Sequence, residues 1–186
     1  ADYSRDAGFG LRGVSGEMTG FAHANDISAP AIRRAGETLQ LLDPATGQST
    51  PAPRRSNQTL YTDACPLDLV PFEEKVALLE KIDAVARAKD PRVAQVSASL
   101  LANWSVVEIV RPDGYVARDI RPLVRLNIQI VAEQNGRRET GFYGLGGRYL
   151  YDRLFDEGAW MRAIDEAVRQ ALVNLDSIAA PAGETT

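Results

Sequence analysis

The sequence predicts an α+β fold, a mainly antiparallel sheet of hairpins packed with about three helices. Three observations lead there. Two hairpin signals, Ser15-Gly16-Glu17-Met18 and Asn135-Gly136, join strand-like segments locally. Leu126, Ile128 and Ile130 alternate with Arg125, Asn127 and Gln129, the period of a strand with one buried face. Residues 72–86 and 160–175 instead carry apolar side chains at helical spacing.

Taken in order, residues 7–15 and 18–24 form the first hairpin, with Gly16 suited to a type II′ turn. Its register sets Leu11 opposite Ala22 and Phe9 opposite Ala24 on an apolar, core-facing side, and Arg12 opposite Phe21 and Gly10 opposite His23 on the other. Asp26 or Ser28 caps a helix over about 28–42, striped by Ile32, Ala35, Leu39 and Leu42. Residues 43–58, rich in Pro, Ser, Thr and Gln, read as a surface loop, and 59–62 as a short strand. Pro71 opens a second helix, striped by Phe72, Val76, Leu79, Ile82 and Ala86 and ended by Asp90-Pro91. Strands follow at 93–101, 104–110, 115–120 and 123–133, with a turn at Pro112-Asp113-Gly114. Asn135-Gly136 then sets Glu133 opposite Arg138 and Ile128 opposite Tyr143. Gly144–Arg148 reads as an irregular loop, and a helix over about 157–178 closes the chain, striped by Trp160, Ile164, Val168, Ala171, Leu172 and Leu175.

Composition bounds the function. The chain has 186 residues, a net charge of −4 and a pI of about 5.1, a balance that disfavours nucleic acid or anionic membrane as partners. One cysteine excludes an internal disulfide and fits a cytoplasmic setting. No apolar run reaches the roughly 18–20 residues of a spanning helix, and no signal peptide is visible. The start at Ala1 and the linker-like tail from Ala180 to Thr186 read as the ends of a fragment. The organisation expected is one domain over 1–186, with sub-lobes 1–43 and 59–179 joined by a loop at 44–58.

Few residues offer chemistry. His23 is either a lone acid/base or a strand histidine that is solvated or hydrogen-bonded; with no second histidine or paired cysteine the latter is favoured. Cys65 lacks a partner other than His23 and reads as an ordinary cysteine. Gly144, Gly146, Gly147, Arg148 and Tyr149 are the candidate binding residues, since glycines admit close backbone approach and an arginine forks onto anions. The stretch is neither a Walker loop nor a dinucleotide fingerprint. Arg118, Asp119, Arg121 and Arg125 around Pro122 read as either an anion site or an ion-pair network on the solvated sheet face, the network favoured because Asp119 supplies a counter-charge in place, and Glu73, Glu74, Lys75, Glu80 and Lys81 read as a solvated helix face.

Several blocks, in order, resemble the TldD branch of the TldD/PmbA family, once called modulators of DNA gyrase. They are Gly8-Phe-Gly-Leu-Arg12, Val14-Ser-Gly-Glu17, Thr19-Gly-Phe-Ala22, Asp90-Pro-Arg-Val93, Val96-Ser-Ala-Ser-Leu100, Asp119-Ile-Arg-Pro-Leu-Val-Arg-Leu126, Gly146-Gly-Arg148, Ala171-Leu-Val-Asn-Leu175 and Ala180-Pro-Ala-Gly183. The resemblance implies a cytoplasmic zinc metallopeptidase acting on unstructured peptides with a PmbA/TldE-like partner subunit. Its metal motif, a helix bearing His-Glu-x-x-x-His and a later cysteine, would follow Thr186, so no catalytic residue or zinc ligand carries over onto His23 or Cys65. The expectation is an amino-terminal substrate-binding and assembly domain without the catalytic domain, holding no cofactor itself. The glycine segment with Arg148 would hold or gate an extended peptide at an open sheet edge. A non-catalytic regulatory module of the gyrase-modulator type is the alternative.

Overall fold

The structure, a computed structural model, describes residues 2–40, 60–180 and 183. The chain divides into two compact units, Ala1–Ser56 and Asn57–Thr186. The fold class is the α+β expected: the described residues form two antiparallel sheets, of two and three strands, with four helices.

In the first unit, β1 (Phe9–Ser15) and β2 (Met18–Ala24) pair in the expected register, Leu11 with Ala22 and Gly10 with His23. Gly16 has φ 59°, the sign a type II′ turn requires at its first central position. Phe9, Leu11, Ala22 and Ala24 are half-buried, and α1 (Ala29–Gln40) packs on the hairpin. Ser28 is the helix cap: its hydroxyl accepts from the Ala31 amide at 3.3 Å and donates to Asp26 at 2.7 Å. Ala35 and Leu39 of the expected stripe lie on the buried side, Leu39 against Gly13 of the hairpin, and Ile32 departs from it. Ala31 and Ala35 are buried while Ile32 is 40% exposed, because small residues let the helix lie close to the ribbon. Leu42 and the loop at 43–58 lie outside the described residues.

In the second unit, Leu60–Thr62 forms no strand, in contrast to the expectation, and Thr59 lies outside the described residues. Instead this segment runs beside the sheet, where the Trp104 indole Nε1 donates to the Asp63 carbonyl at 3.3 Å. Helix α2 spans Phe72–Lys89, with Pro71 at its cap and Glu73 and Glu74 in the first turn. It buries Leu78, Ile82 and Ala86, the last two as expected; Phe72, expected in the stripe, is 57% exposed at the helix start. The lysines of its "solvated" face have partners: Lys75 donates to the Leu67 carbonyl and lies over Tyr151, and Lys81 meets Glu157 and Trp160.

The four strands expected between 93 and 133 are two long ones, β3 (Val93–Val110) and β4 (Val116–Gln134), followed by β5 (Arg137–Gly147). The order is β3-β4-β5, all antiparallel. Asn135 and Gly136, at φ 53° and 80°, make the tight turn and bring Glu133 to Arg138 at 2.7 Å. Val124, Leu126, Ile128, Ile130 and Ala132 point inward along β4 and are fully buried. They meet Trp160, Ile164, Ala167 and Ala171 of α4 (Glu157–Asp176), which a one-turn helix, α3 (Asp152–Phe155), precedes. Asp156 caps α4 by accepting from the Ala159 amide at 2.8 Å. Beyond Val124, where β5 ends, β3 and β4 continue as a two-stranded ribbon with Val106, Ile109 and Val110 exposed.

Candidate functional site

The candidate residues Gly144, Gly146 and Gly147 lie in the last part of β5, paired with Asn127, Arg125 and Val124, not in an irregular loop. Glycine hides strand character from a sequence pattern because it shows no alternation of side chains. Arg148 and Tyr149 follow the strand. The Arg148 guanidinium lies 5.6 Å over the Tyr61 ring, and that of Arg153 lies 5.0 Å over Tyr149. Tyr149 also folds back over Gly147, where a Cβ would come 2.4 Å from its ring.

β5 is an edge strand, and α4 runs along the first part of its outer edge. There the Asn174 side-chain amide donates to the Thr140 carbonyl at 3.0 Å, and the Phe142 amide donates to Gln170 Oε1 at 3.3 Å. Arg137 reaches the carbonyls of Asn174 and Ser177 at 2.9 and 2.7 Å. At Gly141 the helix backbone comes so close that a Cβ would stand 1.9 Å from the Ala167 carbonyl oxygen. Thr140 and Phe142 therefore turn their backbone polar groups away from β4. By strand alternation, with no irregularity in the β4–β5 register, Gly144 and Gly146 do the same. Their N–H and C=O groups have no hydrogen-bond partner among the described residues. The result is a short bare edge between the helix-covered part of β5 and the strand's end.

Two residues that sequence reasoning did not place in the site belong to it. Arg125 and Asn127 stand on β4 on the face opposite the core, next to Gly146 and Gly144. Arg125 Nε donates to Asn127 Oδ1 at 2.7 Å. A Cβ on residue 144 would lie 3.0 Å from Arg125 Nη2 and 3.1 Å from Asn127 Oδ1, so both side chains fill the space that glycine leaves. The signal was present as the polar half of the Leu126–Ile130 alternation, but its meaning depends on the strand next to it.

The expected arginine network resolves into separate pairs. Strand alternation puts Arg118 on one face, where it pairs with Glu108, and Asp119, Arg121 and Arg125 on the other. Arg121 meets Asp119 at 2.5 Å; Arg125 has no carboxylate among the described residues. Glu166 on α4 has its carboxyl held down to about 2, first by the hydrogen bond from Arg169 and then by that from Gln170. The same Gln170 closes the edge at Phe142.

His23 is exposed on the hairpin's solvent side, and Cys65 is a half-buried free cysteine in the other unit. Among the described residues no group of three or more His, Cys, Asp or Glu side chains could hold a metal ion. The residues present therefore do not fit the zinc implied by the resemblance. Among them, too, no helix is long and apolar enough to cross a membrane. The site holds backbone donors and acceptors and a guanidinium.

Comparison with known proteins agrees with this architecture. Residues 65–175 match the model of the PmbA/TldA metallopeptidase central domain, and residues 1–40 that of PmbA/TldA metallopeptidase domain 1. The metalloprotease TldD homolog of Haemophilus influenzae is 43% identical over 96% of this chain and 39% of its own length. That of Buchnera aphidicola subsp. Schizaphis graminum is 37% identical over 98% and 39%. The chain thus spans about two-fifths of the curated relatives it matches. Among solved structures, one described as a modulator of a DNA gyrase from Thermotoga maritima superposes with a TM-score of 0.69 at 17% identity, covering 95% of this chain and 39% of that one. TldE from Thermococcus kodakarensis gives 0.60 at 20% identity, covering 87% and 36%. These two likenesses concern the fold. With most of its length matched by the family's own domain models, the chain belongs to the PmbA/TldD metallopeptidase family.

Proposed function

We propose that this chain is the amino-terminal substrate-binding and assembly part of a cytoplasmic TldD-like zinc metallopeptidase. The whole enzyme acts with a PmbA/TldE-like partner on unstructured peptides, without direct contact to nucleic acid or membrane. The metal and the cleavage chemistry belong to the remaining length of the protein. The part played here is capture of the peptide.

The observation that carries this reading is the bare edge at Gly144 and Gly146. An extended peptide laid beside β5 pairs with the two glycines through up to four backbone hydrogen bonds, a mode indifferent to sequence. At about 1 kcal/mol net each, four bonds supply about 4 kcal/mol. That falls short of the roughly 4–15 kcal/mol cost of association, so the bonds hold a peptide only with help from side chains beside the edge. Gly144, Gly146 and Gly147 keep the edge free of side chains, while Arg148 and Tyr149 stand at its end. The names of the relatives support the peptidase context, and the net charge of −4 supports a peptide over a nucleic acid.

The test uses the full-length protein with its TldE-like partner. Arg148→Ala is expected to raise KM for several unrelated unstructured peptides. Unchanged cleavage of all of them contradicts the proposal.

A further inference from the structure

We propose that the Gly144–Gly146 edge prefers extended segments carrying a carboxylate side chain, which Arg125 holds by reaching across Gly144. This rests on the peptide-capture reading above and adds to it the chemistry of the captured segment.

The argument begins with charge. Four arginines of β4 and β5 are neutralised in place: Arg118 by Glu108, Arg121 by Asp119, Arg137 by Glu139 and Arg138 by Glu133. Arg125 and Arg148 have no carboxylate among the described residues, and both stand beside the bare end of β5. On the outward face of the sheet Arg125 stands opposite Leu101 of β3 and Gly146 of β5, with Leu123 and Asn127 beside it on β4 and Ser99 and Asn103 diagonal to it on β3, none of them a carboxylate. The carboxylates of that face, Asp119 and Glu133, are already taken by Arg121 and Arg138. A positive charge with no carboxylate partner among the described residues thus sits at the stretch of the β5 edge that α4 leaves open.

Geometry directs that charge outward. Adjacent strands lie about 4.8 Å apart, so a β4 side chain ordinarily stops above β4 or is screened by its β5 neighbour. Here the neighbour is Gly144, and Arg125 Nη2 lies 3.0 Å from where its Cβ would be. The guanidinium therefore lies over β5, one strand spacing from a peptide added at the edge. Asn127 Oδ1 takes only the Nε proton, at 2.7 Å, and fixes the plane of the group. The Nη protons have no acceptor among the described residues. A fork held in this way suits a carboxylate from the incoming strand. A Glu or Asp side chain that stands opposite Gly144 on the outward face meets it.

The experiment measures binding of fluorescent ten-residue peptides to this chain by anisotropy. The peptides alternate Ser and Val and carry Glu, Gln or Lys at one central position. The expected result is that the Glu peptide binds about ten-fold more tightly than the Gln peptide, with Lys weakest, as a charge-assisted bond implies. Arg125→Gln, at an exposed position checked for folding by circular dichroism, should level Glu and Gln while leaving the Gln peptide bound. Equal binding of Glu and Gln by the unmodified chain, or a Glu preference that survives Arg125→Gln, overturns the proposal. A peptide with N-methylated backbone amides separates the two readings. If Glu and Gln bind equally but methylation abolishes binding, capture stands and the carboxylate preference falls. If no peptide binds, or methylation has no effect, both fall.

Discussion

Replacing Gly141 by alanine tests the packing that defines the edge. The added Cβ would stand 1.9 Å from the Ala167 carbonyl oxygen and 2.5 Å from the Ala171 amide nitrogen, both backbone atoms of α4. Restoring an ordinary contact of about 3.4 Å requires strand and helix to part by roughly 1.5 Å. α4 cannot yield freely, because Trp160, Ile164 and Leu175 are locked in the core. Overpacking of this kind costs about 1–3 kcal/mol. Separation also stretches the Asn174–Thr140 and Gln170–Phe142 hydrogen bonds, at about 1 kcal/mol each. The expected loss is about 3–5 kcal/mol, a large share of a typical domain's stability. Urea unfolding followed by Trp fluorescence measures it. Gly144→Ala is the control: its Cβ meets the movable end of Arg125 at 3.0 Å, and stability should change by less than about 1 kcal/mol. A Gly141→Ala chain within about 0.5 kcal/mol of the unmodified one would refute the close helix–strand contact.

Other outcomes follow from the same structure. Gln170→Ala should cost about 1 kcal/mol and speed hydrogen exchange at the Phe142 amide, whose acceptor it removes. Glu166 should titrate near 2, well below the ordinary value of 4.5. Because the folded value is the lower one, its contribution to stability is full above about 4.5 and is lost as pH falls toward 2, which carboxyl NMR titration and acid unfolding both read. Amides of Leu126–Ala132 should exchange far more slowly than those of Val116–Leu123, which have a neighbouring strand on one side only. His23→Ala and Cys65→Ser should leave peptide binding by this chain unchanged, since neither residue belongs to β5 or to the strand paired with it.

Hairpins were the most legible part of the fold. Gly16 and the Asn135-Gly136 pair fix turn type, and turn type fixes register, so partners as far apart as Ile128 and Tyr143 could be paired from sequence. The break expected at Pro122 did not occur, and the sheet explains why. The odd residues of β5 face β4, so the even residues of β4, among them Val124 and Leu126, turn their N–H groups toward β5. Pro122 is the next such position, beyond the end of β5 at Gly147, and its missing N–H leaves no partner unsatisfied. Sequence alone cannot show where a neighbouring strand stops. The same limit hid the site. Gly144 and Gly146 read from sequence as a loop and are strand, and the bare edge beside them is created by where α4 stops covering β5. Arg125 belonged to the visible alternation, yet its reach over Gly144 depends on the long-range pairing of Asn127 with Gly144 and of Arg125 with Gly146. In the helices the stripe was largely legible, with Ala35, Ile82, Ala86, Trp160, Ile164, Val168, Ala171 and Leu175 all buried; it failed near helix starts, where Ile32 and Phe72 turn outward.

Capture of an extended peptide at the β5 edge is read most directly by amide hydrogen exchange of this chain with and without a saturating alternating Ser-Val peptide. The account predicts that the Gly144 and Gly146 amides gain protection, while Phe142, already bonded to Gln170, changes little. Protection that appears elsewhere with Gly144 and Gly146 unaltered would contradict it.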